Sequence, residues 1–114
     1  MLLPLAFYAC GESNLEPVDV YPLVPPPVYR TWWTEVAACT DVTARFERVT
    51  WYEAGQLINR ETGMDHVGAW VPPHNIYVHS DYLLYTEGVK HEMVHELLQT
   101  RDHDSTAFLR CAGV

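Results

Sequence analysis

The sequence predicts a minimal α+β domain: an N-terminal helix, a small mixed or antiparallel sheet, a long helix and a short C-terminal helix. Three observations lead there. Residues 31–39 place apolar side chains at helical spacing behind a threonine. Three short runs rich in β-branched and aromatic residues follow, punctuated by glycine and proline. Two histidines four residues apart then mark a second helix. At 114 residues the chain suffices for one core and not for two, and its 48% hydrophobic content with four tryptophans argues for a folded globule.

Taken in order, residues 1–10 are apolar and end in Ala9-Cys10, like the tail of a truncated bacterial lipoprotein signal segment. Cys10 would then be the lipidated residue and a membrane tether. Residues 11–29 hold Pro17, Pro22, Pro25, Pro26 and Pro27 without a helical period, which predicts an extended, polyproline-like tether. The folded domain is expected over 30–114. Its first helix, 31–39, carries Trp32, Trp33 and Cys39; residues 45–53 alternate as a strand, and a looser segment runs from Gly55 to Gly63. Residues 66–71 and 75–79 read as two further strands on either side of Pro72-Pro73. The long helix is expected over 86–100 and the last over 104–110.

Charge excludes one class of partner. The net charge of −8, with seven Lys and Arg and no basic run, does not suit a phosphate-binding surface, so nucleic acid is not an expected partner. No stretch approaches the ~20 apolar residues that span a bilayer. With Cys10 lipidated, Cys39 and Cys111 are left as an even pair, predicting one disulfide that ties the first helix to the C-terminal end. That pairing points to export, to the bacterial cell envelope or beyond it.

The chemistry lies in His91-Glu92-Met93-Val94-His95, an HExxH. Histidines four apart project from one helix face, so both imidazoles can reach one zinc ion. Glu92, beside the first, can take a proton from a metal-activated water. Catalytic zinc usually has three protein ligands, so a third is needed. No Glu follows Glu96, and Leu98 and Arg101 stand where a metzincin needs Gly and His. Asp102-His103-Asp104 is left, with His103 first and Asp102 or Asp104 as alternatives. On an unbroken helix His103 would lie about 12 Å beyond His95. The helix must therefore end near Thr100 and the chain fold back, with Asp102 and Asp104 as N-cap types for the next helix. His66, His74 and His79 read as surface or satisfied core residues rather than ligands. Tyr82, Tyr85 and Arg101 are candidates to stabilise an oxyanion.

From Tyr29 onward the chain resembles a group of small exported bacterial zinc metallopeptidases, often lipoproteins, of the zincin clan. The residues that carry the likeness are an aromatic helix ending in Cys39, strands around Val49-Thr50-Trp51-Tyr52 and Ile76-Tyr77-Val78, the run from Lys90 to Leu98, Asp102-His103, Phe108 and Cys111. The His-then-Phe spacing is similar to SprT-like metallopeptidases, whose third ligand opens the next helix. This resemblance implies His91, His95 and His103 as Zn2+ ligands and Glu92 as general base; the expected protein is a monomer acting on a peptide or protein. Zincins commonly bind peptide as an added strand on a sheet edge, for which Ile76, Tyr77 and Val78 are the expected contacts. The longer gap from His95 to His103 and the acidic charge depart from the SprT-like pattern. Two alternatives stand beside this reading. Zinc endoribonucleases of ribosomal-RNA maturation share a Leu-rich helix end and an Asp-His pair, but carry Gly where this chain has Glu92. A non-catalytic, zinc-stabilised binding module is the other.

Overall fold

The computed structural model describes residues 15–114, so Cys10 and the signal-like segment lie outside the described residues. Four strands form one mixed sheet, β1 (Leu15–Pro22), β2 (Thr50–Asn59), β3 (Gly68–Val71) and β4 (Asn75–His79), in the order β1-β2-β4-β3. Helices α1 (Val28–Thr40) and α2 (Thr86–Leu98) pack on each other, and α2 also packs on β3 and β4. A π-helical turn (Phe108–Ala112) closes the chain against both helices.

α1 forms because Tyr29, Trp32, Trp33 and Val36 fall at i, i+3, i+4 and i+7, a single apolar stripe that is buried. It begins earlier than residue 31 because Pro27, already at helical φ and ψ, sets the first turn. The Trp33 indole N–H donates to the Ala44 carbonyl, and the Tyr29 hydroxyl to that of Leu83. α2 buries a wider face, Gly88, Val89 and then Glu92 through Leu97 without a break.

The proline-rich stretch differs from the expected tether. Residues 15–22 pair antiparallel with β2, from Leu15 opposite Asn59 to Pro22 opposite Tyr52. An edge strand tolerates Pro17 and Pro22 because one of its sides has no ladder to complete. The looser segment expected from Gly55 is likewise the second half of β2. Gly55 lies opposite Asp19, whose φ is 55°; a Cβ at Gly55 would come 3.2 Å from that of Asp19. The strand expected over 45–53 starts at Thr50 instead, because residues 46–48 form a 3-10 turn that brings Phe46 into the core.

The sheet order corrects the expected substrate edge. β4 pairs in parallel with β2 on one side and antiparallel with β3 on the other. Its Ile76 and Val78 are buried in the core, so Ile76, Tyr77 and Val78 offer no free ladder to a peptide. The edge beside α2 is β3. The chain passes from β2 to this far edge and returns through the cis Pro72-Pro73 turn to insert β4 between the two.

Candidate metal centre

His91 and His95 stand one turn apart on α2, as their spacing requires, and the helix stops at Leu98 with Gln99 in the left-handed region at φ 52°. The chain then turns back, and His103 returns to the helix. Its Nε2 lies 3.1 Å from Nε2 of His91 and 3.0 Å from Nε2 of His95. Ligands of a tetrahedral zinc at about 2.0–2.1 Å from the ion stand about 3.3 Å apart, so the three nitrogens are spaced for a common ion. They form the one group of three or more metal-capable side chains found among the described residues.

Tautomers decide what these nitrogens can do. Nδ1–H of His95 donates to the Thr100 carbonyl at 2.6 Å, and Nδ1–H of His91 donates to the Val114 main-chain oxygen at 3.2 Å. Each bond fixes the proton on Nδ1 and leaves a lone pair on Nε2. The two lone pairs converge on Nε2 of His103, which with its own proton on Nδ1 adds a third lone pair for a shared cation. Burial lowers the pKa of all three histidines; the His95 value falls to about 3, despite its bond to Thr100. For His103, Asp102 and Asp104 work in the opposite direction. At neutral pH the triad is unprotonated, the state in which imidazole ligates metal.

Packing holds the rings. Phe108 lies against all three, with centroids 4.9 Å from His91, 4.6 Å from His95 and 5.1 Å from His103. Trp70 of β3 stacks on His95 within 5° of parallel. The Trp70 indole donates to Glu96 Oε1, whose other oxygen takes Arg48 Nε at 2.6 Å and faces Nδ1 of His74 at 2.7 Å. Glu96 is fully buried, and Arg48 also donates to its main-chain oxygen. This carboxylate hub sets the helix end and Trp70 together. Sequence reasoning missed it, because the partners of Glu96 come from residues 48, 70 and 74, distant in the chain.

Glu92 is buried, at 3% exposure, between α2 and the start of β3. Gly68 makes that position possible: a Cβ there would lie 2.9 Å from Glu92 Cγ and 3.2 Å from its Oε2. A cleft of about 330 Å³ opens beside it, walled by His66, Val67, Gly68, Tyr85, Gly88, His91, Glu92 and Val114. Of the three oxyanion candidates, Tyr85 lines this cleft; Tyr82 packs on Tyr85 and His79, and Arg101 is not among the walls.

His79 is a buried residue paired to Asp65 at 2.8 Å, and His74 belongs to the Glu96 hub; neither joins the triad. Asp102 and Asp104 are exposed and do not cap the last helix, which begins at Phe108 rather than near residue 104. Ser105 Oγ accepts the Ala107 N–H there, so His103 sits in the preceding loop. Cys39 and Cys111 are disulfide-bonded.

No family model matches the chain, and neither a curated protein nor a solved structure does.

Proposed function

We propose that the domain is a zinc-dependent metallopeptidase of zincin-like architecture, with His91, His95 and His103 as ligands and Glu92 as general base. The observation that carries this reading is the convergence of three histidine Nε2 atoms beside a buried glutamate that borders an open cleft. Bound zinc supplies Lewis acidity, lowering the pKa of a water and polarising the scissile carbonyl. Glu92 takes the proton of the attacking water and passes it to the leaving amine. Burial against Gly68 holds the Glu92 carboxylate in one place, so little reorganisation accompanies the transfer. Tyr85 is the donor at hand for the oxyanion. The substrate is a peptide or protein, laid along the free edge of β3 at the cleft.

The disulfide favours an oxidising compartment, consistent with export. Among the described residues no helix is long and apolar enough to cross a membrane; attachment through Cys10 is part of the same proposal. The acidic charge and Glu92 disfavour the endoribonuclease reading. Glu92→Gln separates an enzyme from a binding module. Peptide cleavage should fall at least about 100-fold, as loss of a general base does, while zinc content stays at one per chain. A parent protein that holds zinc yet cleaves no peptide in a diverse library would leave the binding module.

A further inference from the structure

The three histidines are not held alike. His91 and His95 are fixed by α2, whereas His103 sits on an exposed loop between Gln99 and the π-helical turn. That turn and the two residues after it carry two supports for the triad. Phe108 packs on all three imidazoles, and the Val114 oxygen accepts the Nδ1 proton of His91. Between Phe108 and Val114 lies Cys111, bonded to Cys39 near the end of α1. Helix α1 packs on α2, α2 packs on the turn, and the disulfide closes this triangle covalently.

We propose that Phe108 and the Val114 main-chain oxygen are the positioning groups of the histidine triad, and that the Cys39–Cys111 disulfide clamps them, so that reducing it weakens metal binding. This rests on the reading of the triad as a metal site. A loop ligand coordinates only when ordered, and the cost of ordering it rises when its downstream anchor is loose. Without the clamp the apolar anchoring of the turn falls mainly to buried Ala107, Phe108 and Ala112, two of which are alanines. Loosening it costs His103 its anchor, all three rings their apolar wall, and His91 the acceptor that fixes its tautomer. The reducing agent is a dithiol. One of its thiolates attacks a protein sulfur, giving a mixed disulfide; the second displaces it, leaving two protein thiols and an oxidised reagent. Two electrons and two protons are transferred. Both cysteines are half-buried, within reach of a small reagent.

Cobalt(II), whose visible bands report tetrahedral ligation, is the probe. It is titrated into the full chain carrying Cys10→Ser, with the disulfide intact, after dithiol reduction and alkylation, and in Cys39→Ser/Cys111→Ser. Loss of the clamp should weaken cobalt binding about 10–100-fold, the range for outer-shell changes around a metal, while tryptophan emission stays native. Phe108→Ala with the disulfide intact should lose affinity similarly and Phe108→Leu should restore most of it, which guards against a serine variant that fails to fold. Affinity within twofold of the parent in the reduced protein or in Phe108→Ala overturns the clamp and leaves the metal site standing. An oxidised parent that binds no cobalt overturns both.

Discussion

Replacing Glu96 with alanine should cost the metal-free domain about 3–5 kcal/mol, more than any surface substitution could. The carboxylate is fully buried and serves Arg48, Trp70 and His74 through bonds of 2.6–2.8 Å. Removing it breaks a buried ion pair from one side, typically about 3–5 kcal/mol, and strands the buried Trp70 indole N–H, about 1–3 kcal/mol more. The two do not add in full. The Arg48 side chain is 29% exposed and can turn partly to water, and its bond to the Glu96 main chain survives. With about 4–8 °C of melting midpoint per kcal/mol in a domain of this size, the midpoint should drop by at least about 12 °C. Urea unfolding in chelator, followed by tryptophan fluorescence, measures the loss. Glu96→Gln, which keeps an acceptor for Trp70, should lose less. A cost below about 1 kcal/mol for Glu96→Ala would refute the hub as a source of stability, and with it the account of how Trp70 is set against His95.

Three further outcomes are expected. Gly68→Ala should keep zinc but lower turnover, because the new methyl meets Glu92 Cγ at 2.9 Å and displaces the carboxylate; metal analysis beside peptide kinetics checks it, and unchanged kinetics would remove Gly68 from the site. Burial, then the nearby Glu53, raises the Tyr29 pKa above its ordinary 10.0. The folded state thus keeps a proton that the unfolded chain releases, so stability present below pH 10 should fall by about 1.4 kcal/mol per pH unit above it. Tyr29→Phe should flatten that slope in alkaline unfolding curves. Chelation should speed hydrogen exchange first in residues 99–105 while the sheet stays protected; equal rates with and without chelator, or full zinc affinity in His103→Ala, would exclude His103 as the third ligand.

Local rules carried the sequence a good way. The 3.6-residue period exposed α1 and put His91 and His95 on one face, and simple rise per residue required the reversal that brings His103 back. Counting cysteines identified Cys39 and Cys111 as partners. What stayed hidden depends on which segments meet. Prolines in residues 15–22 mask a strand because their tolerance depends on β1 being an edge, a property of the assembled sheet. The place of β4 between β2 and β3 is set by non-local pairing, which no window of sequence contains, and it moved the free edge from Ile76, Tyr77 and Val78 to β3. Glu96 reads as an ordinary helix residue until Arg48, Trp70 and His74 surround it. The histidines of the candidate centre were legible because the proposed chemistry needs them at fixed spacing. The tautomer of His91, the apolar wall of Phe108 and the glycine that admits Glu92 come from segments brought together only by packing.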